Sequence, residues 1–110
     1  MAFEKDGVKQ LSYEEVLKAY KAKDENVVLL DVRELAEYEE GHIPGIQLLP
    51  TSEFVERYED ELDKTKEYII VCRSGNRSQN VCRYLQEQGF ESLANYDGGM
   101  LVWEGPTENS

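Results

Sequence analysis

The sequence predicts an α/β fold, with a mostly parallel central sheet and helices on both faces. Three observations predict it. Val27-Val28-Leu29-Leu30 and Tyr68-Ile69-Ile70-Val71 are short apolar runs, the pattern of strands buried on both faces. Each run is followed, after a loop, by a segment with helical spacing of apolar residues. The chain has 110 residues, enough for one core and not for two, so 1–110 is expected to be a single domain.

In chain order, Val8-Lys9-Gln10-Leu11 reads as a short strand. Ser12-Tyr-Glu-Glu15 is a capping box that opens a helix to about Lys21, with Tyr13, Val16, Leu17 and Tyr20 on its apolar stripe. Lys23–Asn26 is a polar turn, and Val27–Leu30 runs as a strand into Asp31-Val32-Arg33. A helix over Glu34–Glu40 is stopped by Gly41, and Gly41-His42-Ile43-Pro44-Gly45 is a constrained turn. Ile46–Leu49 reads as a third strand closed by Pro50. Thr51 or Ser52 is expected to cap a helix carrying Phe54, Val55 and Tyr58 and ending near Asp60. After the strand Tyr68–Val71 and a loop, the spacing of Val81, Leu85 and Gln88 predicts a helix from Ser78, with Gly89 as its stop. Ser92–Tyr96 is the last expected strand, Asp97-Gly98-Gly99 a tight turn, and Met100–Trp103 a short apolar helix before Gly105-Pro106. The tail, 107–110, is expected to fray.

Composition excludes several classes. A formal charge of −11, from 12 basic and 23 acidic residues, argues against nucleic acid or an anionic membrane as partner. No apolar run approaches the roughly 18 residues that span a bilayer. The first six residues lack the apolar stretch of a signal peptide. Two cysteines ten positions apart and a single histidine provide neither a disulfide framework nor a metal-ligand spacing. The expectation is therefore a cytoplasmic protein without metal or cofactor, monomeric by default. Acidic residues concentrate in Glu34–Glu40 and Glu53–Glu67, which read mainly as solvated faces.

One stretch departs from that acidity. From Tyr68 to Gln86 there are three arginines and no carboxylate. Within it, Cys72-Arg73-Ser74-Gly75-Asn76-Arg77-Ser78 joins a strand to a helix. A loop of this kind turns several backbone N–H groups toward one centre, and the helix N-terminus adds its positive end. A cysteine at its base is biased toward thiolate. Arg73 and Arg77 add two permanent positive charges. The pattern is that of a nucleophilic sulfur in an anion-binding cradle. A free cysteine ending a core strand, beside arginines that merely solvate a loop, is the other reading of the same residues. Gly75 is expected at a backbone angle that glycine alone tolerates, and Ser78 as a helix cap. Cys82, beside Val81 and Leu85, reads as a buried small hydrophobe, with a resolving thiol as its alternative role.

Four stretches together resemble the single-domain rhodanese family of sulfurtransferases. They are Leu29-Leu-Asp31-Val32-Arg33, Glu37-Tyr38-x-x-Gly41-His42-Ile43-Pro44-Gly45, Cys72–Ser78, and Asp97-Gly98-Gly99-x-x-x-Trp103. They occur in the family's order, and the similarity runs from about Leu11 to Pro106. Ile46 and Gln47 stand where the family often has alanine and asparagine. The loop length separates this chain from the phosphatases of the same fold: those carry Cys-x5-Arg, a loop of seven residues, whereas Cys72-x4-Arg77 is similar to the six-residue loop of the sulfurtransferases.

The resemblance implies a rhodanese-like fold and thiosulfate sulfurtransferase activity through a persulfide on Cys72. It implies a small-molecule donor such as thiosulfate, and cyanide or a thiol as acceptor. Residues Arg73, Ser74, Gly75, Asn76, Arg77 and Ser78 would bind the substrate, with Arg77 open also to a role bracing the loop. Asp31 and Arg33 would form a buried ion pair near the loop, Trp103 a core anchor, and His42 a structural hydrogen-bonding group. Two other functions stay open at this point. One is a persulfide carrier or docking module that serves a protein partner; the other is a phosphatase or arsenate reductase using the same cradle.

Overall fold

The computed structural model describes residues 3–109; Met1, Ala2 and Ser110 of the expected domain span lie outside the described residues. Six strands form one sheet, in the order β1-β2-β6-β5-β3-β4. The strands are β1 (Phe3–Lys5), β2 (Val8–Leu11), β3 (Val27–Asp31), β4 (Gln47–Leu48), β5 (Glu67–Val71) and β6 (Leu93–Tyr96). All neighbours pair in parallel except β1 with β2. The helices are α1 (Tyr13–Ala22), α2 (Leu35–Glu40), α3 (Phe54–Glu61) and α4 (Asn76–Glu87).

The alternation of β5 divides the core in two. Tyr68 and Ile70 face a cluster with Phe54 and Tyr58 of α3 and Val81, Cys82 and Leu85 of α4. Ile69 and Val71 face the opposite cluster, with Val16 of α1, Ile43, Tyr96 and Trp103. The apolar run at β5 therefore serves two layers, and helices cover both faces as the sequence predicts. Trp103 stands edge-on to Tyr13, Tyr20 and Tyr96, and its indole N–H donates to the Pro106 carbonyl (2.9 Å).

Several elements differ from their expected form. Strand β1 was not predicted. Asp6 and Gly7 both have positive φ (52° and 79°), the conformation of a two-residue hairpin turn, and they fold Phe3–Lys5 back on β2. Ser12 caps α1 with Glu15 completing the box, as expected. The third strand shrinks to Gln47–Leu48, because the Ile46 N–H turns back to the Ile43 carbonyl (3.1 Å). Thr51 and Ser52 lie in a 3-10 turn ahead of α3 rather than capping it, and Glu53 stands at the N-cap. The segment 99–102 is a 3-10 turn; Gly98 (φ 89°) and Gly99 (φ 56°) are left-handed and so cannot belong to a right-handed α-helix, which leaves only Met100–Trp103 before Gly105-Pro106. The tail is anchored as far as Glu108, whose N–H and C=O both pair with His42 (2.9 Å each). Among the described residues, no helix is long and apolar enough to cross a membrane.

Candidate active site

Strand β5 delivers Cys72 to the C-terminal edge of the parallel sheet, where ligand sites of such folds lie. The loop that follows is shorter than predicted. Gly75, at φ 94°, is already the N-cap of α4, and the helix begins at Asn76, so Ser78 sits in its first turn instead of capping it. A side chain at Gly75 would press on the backbone nitrogen of Gly98 (3.1 Å), which adds to its φ angle as a reason for glycine there.

A second turn shapes the loop from outside. The Met100 and Leu101 N–H groups, in the 3-10 turn, donate to the carbonyls of Cys72 (2.9 Å) and Arg73 (3.0 Å). With those carbonyls drawn outward, the loop N–H groups are free to face the sulfur. A Cβ on Gly99 would collide with the same two carbonyls, so this turn tolerates glycine alone.

Cys72 is 1 % exposed. Its Sγ lies 3.0 Å from the Gly75 N–H and 3.2 Å from the Ser78 hydroxyl. Burial raises the thiol's pKa. Hydrogen bonds from the Ser78 hydroxyl and from the N–H groups of Ser78, Gly75 and Ser74 outweigh it, and hold the thiol below its ordinary value. Cys82 shows the opposite balance: fully buried and without such donors, it is pushed up to about 12. Both cysteines are free thiols. The sulfur that sits in the cradle is thus the ionisable one, and Cys82 packs as a small hydrophobe.

The two loop arginines do different things. Arg73 is exposed and lines a cleft of about 280 Å³ with Arg33, Glu37, Glu40, Met100 and Leu101. Arg77 turns to α2, where Nη1 and Nη2 bind the two oxygens of Glu37 at 2.7 and 2.8 Å. The Arg77 guanidinium beside it, together with the Glu34 N–H, holds the Glu37 carboxyl down at about 2. Side chains of Ser74 and Asn76 are exposed at the loop mouth. The seven expected site residues are therefore contiguous in space as in sequence, with Arg73 open to the cleft and Arg77 engaged by Glu37.

The acidic stretch Glu34–Glu40 is not simply a solvated face. Glu34 accepts from the hydroxyls of Thr51 (3.0 Å) and Ser52 (2.6 Å) and from the Ser52 N–H, which lowers its pKa. Through Glu37 and Glu34, α2 ties the cysteine loop to the start of α3. Beneath it, Asp31 and Arg33 form a buried ion pair at 2.8 Å, 0 % and 6 % exposed. Arg33 also donates to the carbonyls of Glu37 and Gly41 (3.3 and 2.9 Å). His42 is stacked on Tyr38 and held by the Tyr38 carbonyl and Glu108, a structural setting. Among the described residues no cluster of His, Cys, Asp and Glu has the arrangement of a metal site.

Because the Glu37 pKa is depressed on folding, its ion pair adds stability above the ordinary carboxyl value of 4.5 and loses it as pH falls to about 2. Thermal melts of wild type and Glu37→Gln should differ by a constant amount above pH 5, about 1 kcal/mol for so exposed a pair. The two should converge near pH 2. A gap that persists there would show that Glu37 acts through packing instead.

Sequence reasoning missed three buried amides under the loop, Gln10, Gln79 and Asn95. Their signal was faint: Asn95 is the one amide in the otherwise apolar strand Leu93–Tyr96, and Gln10 lies beside Lys9 in a strand with only two apolar residues.

Comparison with known proteins places this arrangement. A family model described as "Rhodanese-like domain" matches residues 12–106. The chain is 51% identical over 85 residues to the "Putative sulfurtransferase YtwF" of Bacillus subtilis, covering 77% of this chain and 81% of that protein. It is 42% identical over 81 residues to the "Thiosulfate sulfurtransferase GlpE" of Pseudoalteromonas translucida, covering 73% and 75%. The crystal structure of a rhodanese-like domain protein from Staphylococcus aureus superposes with a TM-score of 0.80 at 32% identity, covering 92% of this chain and 97% of that one.

Proposed function

The chain belongs to the rhodanese-like family, and on that premise we propose that it transfers the outer sulfur of thiosulfate to cyanide or a thiol through a persulfide on Cys72. The observation that carries the reading is the Cys72 sulfur, faced by the Gly75 N–H and the Ser78 hydroxyl and held below the ordinary thiol pKa. The thiolate attacks the outer sulfur of the donor; the S–S bond of thiosulfate breaks and sulfite leaves with the electron pair. The persulfide's charge then rests on its terminal sulfur, among N–H dipoles that require no rearrangement to stabilise it. A cyanide or thiolate acceptor attacks that terminal sulfur and returns Cys72 as thiolate. A nearly sequestered sulfur favours a slender donor over a bulky one.

Roles divide among the loop residues. Ser74, Gly75 and Ser78 supply hydrogen bonds to the reacting sulfur, and Asn76, exposed at the loop mouth, is open to the donor. Arg73, exposed beside Cys72, holds the anionic end of the donor. Arg77 braces the loop through Glu37. The sequence similarity to a thiosulfate sulfurtransferase supports the choice of donor, and the short loop supports sulfur over phosphate chemistry.

Steady-state kinetics with thiosulfate and cyanide test this assignment. Parallel double-reciprocal lines are expected, because each substrate meets a different form of the enzyme. Loss of a charge-assisted contact of about 1.5–3 kcal/mol should raise the KM for thiosulfate tenfold or more in Arg73→Ala. Arg77→Lys, which breaks the two-pronged contact with Glu37, should act mainly on stability and kcat. If Arg77→Lys alone carried the KM effect, the roles of the two arginines would be reversed.

A further inference from the structure

Three buried amides lie beneath the loop, and their orientation follows from what faces them. Gln79 Nε2 donates to the Lys5 carbonyl (2.8 Å), so its Oε1 points inward and accepts from Gln10 Nε2 (2.6 Å) and Asn95 Nδ2 (3.3 Å). Gln10 Nε2 also donates to the Val8 carbonyl (3.2 Å), which leaves Gln10 Oε1 to accept from Asn95 Nδ2 (2.9 Å). Asn95 Nδ2 donates in addition to the Gly75 carbonyl (3.1 Å), so its two hydrogens serve three acceptors, the 3.3 Å contact to Gln79 being the shared one. Three backbone carbonyls thus fix three amides, and reversing any one would set two acceptors against each other. Asn95 Oδ1 is left facing Ser78 Oγ at short range.

That oxygen carries no hydrogen, so Ser78 must be the donor. Ser78 has one hydrogen, and its Oγ also lies 3.2 Å from Cys72 Sγ. It cannot donate to both. We propose that Asn95 is a positioning residue that competes with Cys72 for the single Ser78 hydrogen. In the thiol form the Cys72 S–H points to Ser78 Oγ and the Ser78 O–H to Asn95 Oδ1. When Cys72 loses its proton to solvent, the Ser78 hydrogen stays on Ser78 and turns to the sulfur, and Asn95 Oδ1 gives up its donor in a buried site. The thiolate is stabilised by the cradle and opposed by Asn95. A thiolate held back in this way keeps more of its nucleophilicity than one stabilised without opposition.

Other charges act on the sulfur independently of the Ser78–Asn95 pair, and among the described residues Arg77 is the one that interacts with Cys72 electrostatically. Arg77 on α4 is engaged by Glu37 of α2, and Arg33 and Asp31 at the end of β3 engage each other. Arg73 is exposed, and Cys82 remains a neutral thiol. Ser78 and Asn95 bond to none of these charged side chains.

Titration of Cys72 by ultraviolet thiolate absorbance tests the proposal. It rests on the reading of Cys72 as the reactive thiol but uses no sulfur donor, so its failure is distinguishable from failure of the persulfide cycle. Asn95→Ala frees the Ser78 hydrogen, and the Cys72 midpoint should fall by about 0.5–1 pH unit, a threefold to tenfold stronger acid. In a Ser78→Ala background the same substitution should leave the midpoint unchanged. A midpoint that rises or stays put in Asn95→Ala, or that falls equally without Ser78, would overturn the proposal. Should Asn95→Ala not fold, the side-chain carbonyl carbon of Asn95 can be followed by NMR in the wild-type protein. Its resonance should step with the Cys72 titration, and the step should be lost in Ser78→Ala. A step of equal size in Ser78→Ala, or none in the wild type, would also overturn it.

Discussion

Replacing Cys72 with serine should abolish thiocyanate formation from thiosulfate and cyanide, a loss of about a thousandfold or more, to the background of the assay. The reason is chemical. A serine hydroxyl at this position has the same hydrogen-bond partners, Gly75 and Ser78, but is not ionised near neutral pH and does not attack sulfane sulfur. The substitution is nearly isosteric, so circular dichroism and the melting temperature should change little. Cys82→Ala is the matched comparison. Its thiol is neutral, buried against Val81 and Leu85, and outside the loop, so turnover should persist. Thiocyanate formation by Cys72→Ser at more than a few per cent of wild type would remove Cys72 from the mechanism.

Asp31→Ala should be strongly destabilising, by about 3–5 kcal/mol in urea unfolding. The carboxylate accepts from the Arg33 guanidinium at three contacts of 2.8–3.1 Å and from the Arg33 N–H at 3.0 Å. Removing it strands a guanidinium that is 6 % exposed. A domain of this size has about 5–15 kcal/mol in all, so the variant should lie near its unfolding threshold at 37 °C. The damage should spread, because Arg33 also anchors the end of α2 through the Gly41 carbonyl, and α2 holds Arg77 through Glu37. The double variant Asp31→Leu with Arg33→Met should be less destabilised than Asp31→Ala, since no unpaired charge remains. A cost below about 1 kcal/mol for Asp31→Ala would mean that water reaches Arg33 and that the pair is not buried in solution.

Much of this was legible in the sequence because the decisive patterns are local. The apolar runs of β3 and β5, the Ser12/Glu15 box and the cysteine loop each declare themselves within a few residues. The alternation in β5 even anticipates the two-layered core, since both of its faces are apolar. What was not legible depends on distant residues. Strand β1 is three exposed residues with no apolar alternation, and only the Asp6-Gly7 pair marks its turn. Glu34 and Glu37 look like surface acids until α2 is set against the loop, where one binds Ser52 and the other Arg77. The amides Gln10, Gln79 and Asn95 meet only because β2 and β6 are neighbours under α4. No spacing rule joins positions 10, 79 and 95. The displaced start of α4 is a smaller case: helical spacing pointed to Ser78, while the positive φ of Gly75 sets the helix to begin at Asn76.

The central claim is that Cys72 carries sulfur between two substrates. Intact mass of the purified protein, measured after incubation with thiosulfate and again after cyanide, tests it most directly. A gain of about 32 Da that maps to Cys72 and disappears with cyanide is the predicted result. A protein whose mass does not change with thiosulfate or with a persulfide donor, or whose added sulfur maps to Cys82, would contradict it.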